Sequence, residues 1–288
     1  WLMHQPIAGS VNAIESLRNA GHRVLFVTNN SFSVVADQEN ALANIGIDAH
    51  NDVVTSSQAA GALLRKGERV LLGGGPGAVE AIIELVRKHE GEGVWLAPLG
   101  PLTNIALALR AAPDLGKRIA GISLMGGGTL HGNRAPHAEF NIWADPEAAA
   151  SVFEAGFKNV LMVPLDATHK ALVTAAQCDA LDALGTPAGK AAAIFIQRRV
   201  ASYESSQKMD VPESAPVHDA LCVAALVEPD IITTKRCHVA VETTGTLTLG
   251  RTVVDTHHRG GKEPNADVAF DANAPRFIAL MMEIFGQR

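Results

Sequence analysis

A polar stretch between two apolar segments holds the residues best suited to chemistry, and it runs from His137 to Glu147. Near its end, Asp145 is predicted to cap a helix that has Pro146 at its first position, which explains those two residues structurally. Glu139 and Asn141 have no such explanation. They stand two residues apart in a predicted loop, where a carboxylate and an amide could bind hydroxyl groups. For this stretch taken alone, a solvated polar loop is the favoured alternative.

A second candidate is the pair His218-Asp219, which precedes the apolar segment Ala220–Val227. Asp219 either caps the helix predicted there or offers its carboxylate to a hard cation. His218 is either a chance neighbour or lies beside a leaving group, a role that suits an imidazole with an unperturbed pKa of about 6.5. From the dipeptide alone, the helix cap is favoured.

A third candidate is Thr28, which follows the predicted strand Arg23–Val27 and precedes Asn29-Asn30. Its hydroxyl could bind a phosphate oxygen beside the amides of the next helix, or the segment could be a simple polar turn. The glycine-rich segment Gly73–Gly77 lacks both the Lys-Ser/Thr of a P-loop and the spacing of a dinucleotide fingerprint, so it is a weak signal.

Short apolar strands alternate with helical patterns along most of the chain. This alternation predicts an α/β fold with a mostly parallel sheet, helices on both faces and a Rossmann-like core, with functional loops at the carboxyl ends of the strands. The predicted strands are Arg23–Val27, Arg69–Leu72, Val94–Leu99, Ile119–Met125, Asn159–Pro164, His238–Glu242 and Thr246–Val254. The predicted helices are Ser10–Ala20, Val35–Ile45, Ser57–Lys66, Ala78–His89, Leu102–Ala112, Pro146–Ala155, Thr174–Leu184, Pro187–Ser202, His218–Val227 and Ala274–Phe285.

Composition excludes several classes of protein. Of the 288 residues, 47% are apolar and 19% charged, which allows a large core. The net charge of -6 disfavours nucleic acid and anionic membranes as partners. No apolar run approaches the roughly 18 residues of a membrane span. No signal peptide opens the chain, and because it begins at Trp1 we expect its natural start upstream. Three cysteines without CxxC spacing predict buried, reduced thiols in a cytoplasmic protein.

Several segments from about Ala78 to the end match one family when they are taken together. They are Pro98–Asn104, Leu124–Gly128, Ala138–Asn141, Asp145–Ala149, Leu165–Lys170, His218-Asp219, Glu242–Gly245 and Gly250–Asp255. In these segments the chain resembles the inosine-uridine-preferring nucleoside hydrolases. That family hydrolyses the N-glycosidic bond of ribonucleosides, with a calcium ion that holds two ribose hydroxyls and the attacking water.

The resemblance implies a role for each matching residue. Asp219 and the main-chain carbonyl of Leu99 would be calcium ligands, and His218 would lie near the base and help to protonate it as it leaves. The ribose would contact Asn133 and Glu139 on its 5′ side, Asn141 at its 3′-hydroxyl, and Met125 along its edge. The implied partner is a small-molecule ribonucleoside, and a homo-oligomer is possible.

One signature of that family is absent. Its first strand ends in an acidic string of the form D-x-D-x-G-x-D-D, which supplies most of the calcium carboxylates and the general base, and residues 1–288 contain no such string. We therefore expect weak or no calcium binding and impaired turnover. Asp37, Asp48 and Asp52 are the aspartates available before residue 77, and none directly follows the strand Arg23–Val27.

Residues 1–77 resemble a different family, the haloacid dehalogenase-type phosphatases of the nitrophenylphosphatase-like group. The matching segments are Pro6–Ser10, Gly21–Ser31 and Val54–Ala60, and Thr28 would match the phosphate-binding residue. The aspartyl nucleophile motif would lie just before Trp1. The sequence thus predicts a chimera with a junction near Gly73–Val79. The alternatives are a non-catalytic scaffold and a phosphatase that lacks its nucleophile.

We expect the two pieces, residues 1–77 and 78–288, to form one continuous α/β domain. Strands and helices alternate without interruption across Arg69–Leu99, and no Pro/Ser-rich linker separates the pieces. Limited proteolysis should therefore leave no stable fragment of about residues 78–288. The release of such a fragment would mean that the pieces are separate domains.

Overall fold

The computed structural model describes residues 10–19, 26–28, 35–44, 46–50, 53–55, 77–207 and 209–287. The chain divides into two compact units, residues 1–82 and residues 83–288. The predicted helix Ser57–Lys66, the predicted strand Arg69–Leu72 and most of the segment Gly73–Gly77 lie outside the described residues.

Within the described residues up to position 55, the first unit forms two helices and two short strands. The helices are α1 (Ser10–Asn19) and α2 (Val35–Ala43), and the strands β1 (Phe26–Thr28) and β2 (Val53–Thr55) pair in parallel. Leu42, Ile47 and Ala49 are buried together. The predicted helices Ser10–Ala20 and Val35–Ile45 are thus confirmed to within two residues at each end. A third helix, α3 (Ala78–Lys88), crosses the boundary between the units.

The second unit is built on a six-stranded sheet. Its strands in chain order are β3 (Trp95–Leu96), β4 (Gly121–Met125), β5 (Val160–Val163), β8 (Ile232–Val241), β9 (Thr252–Asp255) and β10 (Ala266–Ala272). They lie side by side in the order β3-β4-β5-β10-β8-β9. Strands β3, β4, β5 and β10 are parallel neighbours, whereas β8 runs antiparallel to β10 and β9 runs antiparallel to β8. This confirms the predicted α/β fold with a mostly parallel sheet.

Strand β4 lies in the most deeply buried part of the sheet. All five of its residues are buried. Because successive side chains of a strand point to opposite faces, both faces of the sheet are covered at this strand. The carboxyl end of β4 is Met125, and the glycine-rich segment that follows it therefore starts from a rigid point of the core.

Helices and one small sheet complete this unit. The small sheet pairs β6 (Leu172–Thr174) with β7 (Ser214–Pro216) in antiparallel orientation. The helices are α4 (Thr103–Ala111), α5 (Leu115–Arg118), α6 (Phe140–Trp143), α7 (Pro146–Glu154), α8 (Leu165–Thr168), α9 (Ala175–Ala183), α10 (Pro187–Ser206), α11 (His218–Val227) and α12 (Ala274–Phe285). Strand β7 ends at Pro216, and only Val217 separates it from α11.

Several elements differ from the predictions. Strand β10 was not predicted, because its sequence ADVAFDA is rich in alanine and aspartate, which have low β propensity. Helix α6 lies where a loop was predicted. The predicted strand Thr246–Val254 begins only at Thr252, since residues 242–250 form turns in which Gly250 has a φ of +78°.

The prediction that the three cysteines are buried, reduced thiols is confirmed. Cys178, Cys222 and Cys237 are free and buried, and burial raises the pKa of Cys222 to about 12. Within the described ranges, no helix combines the length and the apolar character that a membrane crossing requires.

Candidate functional site

A five-residue segment after β4, Gly126–Leu130, is held in place at every backbone N–H; we call it the glycine loop. Gly126 donates to the carbonyl of Val163, but the other four amides donate to side chains from distant parts of the chain. Their acceptors, in order, are the Glu139 carboxylate at 3.0 Å, the Thr252 hydroxyl at 3.0 Å, and the two Asp166 oxygens at 2.7 and 3.1 Å. The loop conformation is therefore determined by side chains rather than by regular secondary structure.

Glu139 is a buried helix cap, which corrects the expectation of a solvated loop. Only 3% of the residue is exposed. Its Oε2 accepts hydrogen bonds from the amides of Gly127, Asn141 and Ile142, at 3.0, 2.9 and 3.4 Å. Burial raises the pKa of Glu139, although these bonds and one from the Asn133 side chain act in the opposite direction. A carboxylate buried at this depth is held by its bonds in a single orientation.

Asn141 connects Glu139 to the main-chain carbonyls of Met125 and Leu99. Its Nδ2 donates to the main-chain carbonyl of Met125 at 2.9 Å and lies 3.4 Å from that of Leu99. Asn133 accepts a hydrogen bond from the Phe140 amide at 2.8 Å. Five of the sequence-predicted residues thus form one connected group, which we call the amide–carboxylate cluster: Leu99, Met125, Asn133, Glu139 and Asn141.

His218 lies in a second group, where both of its ring nitrogens have hydroxyl partners. Nε2 lies 2.9 Å from the Tyr203 hydroxyl, and Nδ1 lies 2.7 Å from the Thr168 hydroxyl. Arg199, which can only donate, lies 3.5 Å from the Tyr203 oxygen, and Thr168 can donate to the Leu165 carbonyl at 3.4 Å. These directions are mutually consistent if Tyr203 donates to Nε2 and the Nδ1–H of His218 donates to Thr168.

The imidazole of His218 is neutral at physiological pH. Burial lowers its pKa to about 3, and the neighbouring His169 and Arg199 act in the same direction. The proton closest to Nε2 therefore belongs to Tyr203, whose own pKa is raised by burial. The predicted role of His218 beside a leaving base remains a prediction, and in this arrangement Nε2 of His218 carries no proton of its own because it accepts the Tyr203 hydroxyl proton.

Asp219 does not cap its helix, so the cap interpretation is wrong. Helix α11 begins at His218, and the capping position is Val217, which makes no side-chain hydrogen bond. Asp219 is exposed to solvent. Partial desolvation nevertheless raises its pKa, and Arg199 opposes this effect. Its carboxylate thus lies in the first turn of α11 without capping the helix.

Electrostatics links the two groups. The charge of Glu139 is among the causes that raise the pKa of Tyr203, so these side chains lie within range of each other. Met125 and Tyr203 also belong to the same apolar cluster. The amide–carboxylate cluster and the pair His218–Tyr203 therefore border one region of the second unit, and Asp219 is next to His218 in the chain.

Comparison with known proteins identifies the family. The family model described as inosine-uridine preferring nucleoside hydrolase matches residues 6–279. The chain belongs to this family. The pyrimidine-specific ribonucleoside hydrolase RihA of Salmonella gallinarum is 40% identical over 206 residues, which are 72% of this chain and 65% of that protein. The chain thus spans about two thirds of the length of this relative.

Solved structures of nucleoside hydrolases have the same fold. A purine-preferring ribonucleoside hydrolase from Gardnerella vaginalis is 35% identical, with a TM-score of 0.66 over 73% of this chain and 65% of that one. A plant nucleoside hydrolase, at 21% identity, superimposes with a TM-score of 0.70 over 93% of this chain and 91% of that one, which shows a shared fold.

The family match corrects the view of the N-terminal residues. It begins at residue 6 and therefore includes most of the piece that the sequence analysis compared with haloacid dehalogenase-type phosphatases. A separate phosphatase-like piece and a junction near Gly73–Val79 find no support in these comparisons. Thr28 ends strand β1 opposite Thr55, and its side chain, like Asn29 and Asn30, lies outside the described residues.

The calcium site implied by the family is not assembled from the described residues. In the described ranges, no group of three or more His, Cys, Asp or Glu side chains is placed to hold a metal ion. Calcium takes six to eight oxygen ligands. Asp219 and the Leu99 carbonyl offer one oxygen donor group each, and the Asn141 amide already approaches that carbonyl. The described donors do not fit a calcium ion by themselves.

Sequence reasoning missed three residues whose hydrogen bonds organise the candidate site. Asp166 and Thr168 stand in the family-matching segment Leu165–Lys170, which was the available signal. Tyr203 is the only tyrosine of the chain. It belongs to no matched segment, and its contact with His218 could be found only from the folded structure.

The neutral state of His218 predicts a loss of stability in mild acid. The folded-state pKa of about 3 lies below the unfolded value of about 6.5, so the unfolded chain binds the proton first as the pH falls. The free energy of unfolding should decrease below pH 6.5 by up to about 1.4 kcal/mol per pH unit. Urea denaturation between pH 7 and pH 5 measures this slope. His218→Gln should flatten it, and an unchanged slope would contradict the assignment.

Proposed function

We propose that this chain binds ribonucleosides through their ribose and hydrolyses the N-glycosidic bond, at a rate well below that expected of an intact family site. The observation that carries the proposal is the amide–carboxylate cluster, in which Glu139 and Asn141 are buried, oriented and joined to the carbonyls of Met125 and Leu99. Family membership and the named activities of the relatives support the same reaction.

The cluster can bind sugar hydroxyls without reorganising. Oε2 of Glu139 is occupied by three backbone amides, so the carboxylate is fixed and its negative charge is directed at the site. Hydroxyl groups donate well to a carboxylate, and hydrogen bonds to a charged acceptor contribute about 1.5–3 kcal/mol. We assign Glu139 and Asn133 to the 5′ side of the ribose and Asn141 to its 3′-hydroxyl.

Tyr203 and His218 form the part of the site suited to the leaving base. As the glycosidic bond breaks, negative charge develops on the base, and a hydrogen-bond donor near it stabilises that charge. We assign this donor to the Tyr203 hydroxyl, which must turn from Nε2 of His218 toward the base, and its raised pKa keeps the proton on the oxygen at neutral pH. Before the base is bound, this hydroxyl is held by Nε2 of His218, whose ring is oriented by Thr168 through Nδ1.

The reduced rate follows from the missing acidic string. General-base assistance is typically worth about 10²–10⁴-fold, and residues 1–288 contain no string that would place a base beside the water. Asp219 remains as a carboxylate that a cation could use. We infer that calcium binds weakly.

We also infer that the protein acts in the cytoplasm and that it can associate with itself. Residues 1–77 and 78–288 are proposed to form one continuous domain.

Selective binding of the sugar tests this function. Calorimetric titration should show that inosine and uridine bind, while their 3′-deoxy analogues bind at least about fivefold more weakly, because a lost hydrogen bond costs about 1 kcal/mol or more. Asn141→Ala should remove this preference, and Thr234→Val on the exposed part of β8 should leave it unchanged. Equal affinities of the parent and deoxy nucleosides would contradict the proposal.

Phosphatase activity is expected to be absent. Phosphoryl transfer in the haloacid dehalogenase-type enzymes passes through an aspartyl nucleophile, and the motif that would supply it is absent from residues 1–288. Incubation with p-nitrophenyl phosphate and Mg²⁺ should give no turnover above background. Turnover that disappears in Thr28→Val would overturn this prediction.

A further inference from the structure

Thr252 makes two hydrogen bonds with the backbone of Gly128, the glycine-loop residue next to the one that Glu139 binds. It is the first residue of β9 and is 2% exposed. Its Oγ1 accepts from the Gly128 amide at 3.0 Å and donates to the Gly128 carbonyl at 2.8 Å. A single hydroxyl thus satisfies both backbone groups of a residue 124 positions away in the chain.

The neighbouring glycine leaves little space for adjustment. Gly127 has a φ of +78°, and a Cβ at this position would lie 2.5 Å from Cε of Met162 and 2.8 Å from Cγ2 of Thr252. The methyl group of Thr252 therefore packs against Gly127 while its hydroxyl holds Gly128. The Gly127 amide in turn donates to Oε2 of Glu139 at 3.0 Å. A continuous path of contacts runs from Thr252 through two glycines to the buried carboxylate.

The turn that precedes β9 supports the same site at a second point. Gly250 has a φ of +78°, and a Cβ there would lie 2.7 Å from Cα of Trp143. Trp143 ends the short helix α6, which carries Asn141 and is capped by Glu139. Residues 250–252 therefore contact both backbone segments that orient the Glu139 carboxylate.

We propose that Thr252 is a positioning residue that sets the orientation of the Glu139 carboxylate through the glycine loop. The hydroxyl holds the backbone of Gly128 in position, and this position directs the Gly127 N–H toward Oε2 of Glu139. Thr252 itself does not contact the ribose in this assignment. The expected effect of Thr252 on ribose binding rests on the proposed function. Its expected effect on the orientation of the Glu139 carboxylate does not.

The experiment compares three variants with the unaltered chain. Thr252→Val keeps the shape and removes the hydroxyl, Thr252→Ser keeps the hydroxyl, and Thr234→Val is a matched control on an exposed position of β8. Carboxyl NMR should show the pKa of Glu139 rising by about half a unit or more in Thr252→Val, because the carboxylate loses a hydrogen bond that stabilises its charged form. Hydrogen exchange at the Gly127 and Gly128 amides should accelerate at least tenfold in the same variant.

Thr252→Ser and Thr234→Val should match the unaltered chain in both measurements. Inosine affinity should fall at least fivefold in Thr252→Val alone. If neither the unaltered chain nor any variant binds inosine, the proposed function fails. The pKa of Glu139 and the hydrogen exchange of the Gly127 and Gly128 amides still test the role of Thr252 in that case. An unchanged Glu139 pKa and unchanged Gly127 exchange in a folded Thr252→Val protein would overturn the inference, even if the melting temperature fell.

Discussion

Glu139→Ala is expected to lower the free energy of unfolding by about 2–4 kcal/mol and to abolish nucleoside binding. The substitution leaves the buried amides of Gly127, Asn141 and Ile142 without an acceptor, and a buried unsatisfied amide costs about 1–3 kcal/mol. Loss of a helix cap alone costs about 0.5–2 kcal/mol. The sum is reduced because the desolvated carboxylate, whose pKa is raised by burial, is removed as well.

Glu139→Gln is the matched control for this prediction. Its side-chain carbonyl can still accept from the three amides, so urea denaturation should show a loss of only about 1 kcal/mol. Its neutral amide should still weaken nucleoside binding at least tenfold, because the charge-assisted hydrogen bond is lost. If glutamine and alanine were equally destabilising, or if alanine still bound inosine, Glu139 would not have the role assigned here.

Calcium titration is expected to give a dissociation constant in the millimolar range or weaker. Calcium sites span dissociation constants from about 10⁻⁹ to 10⁻³ M, according to the number of charged ligands and the rigidity of the site. Asp219 is the single carboxylate that the family resemblance assigns as a ligand in this chain, and the described residues add no cluster that could hold a metal. Weak binding should therefore accompany slow turnover.

Asp219→Ala distinguishes the two outcomes of that titration. If binding is weak, the substitution should change the calorimetric signal little. Binding in the micromolar range that is lost in Asp219→Ala would contradict the account, and it would mean that residues 1–76 bring further carboxylates to Asp219.

The sequence was most informative where local patterns determine structure. Asp145 followed by Pro146 predicted the start of α7, and the Asp145 side chain does accept from the Ala148 amide at 3.0 Å. Helices with regular apolar spacing were located to within a few residues. Strand β10 was missed because its position between β5 and β8 is determined by tertiary pairing, which overrides the low β propensity of its residues.

The residues of the candidate site also divide into those that a local sequence pattern indicated and those that only the folded structure reveals. Glu139, Asn141 and His218 were found because they stand in short segments that match a family. Their electrostatic states were not predictable, since the neutral His218 depends on burial and on Tyr203, 15 residues away. The bonds of Thr252 to Gly128 cross 124 residues, and no local pattern reveals a contact between segments so far apart.

The central claim is that a ribose-binding site is retained while the machinery that activates water is impaired. The most direct measurement is the release of ribose and free base from inosine and uridine at saturating calcium, followed by chromatography, with Asn141→Ala as the background. We expect a rate above that background but at least about 10²-fold below that of the RihA relative measured in parallel. A rate equal to that of the relative would contradict the claimed impairment, and a rate no higher than in Asn141→Ala would contradict the claim that the retained cluster supports hydrolysis.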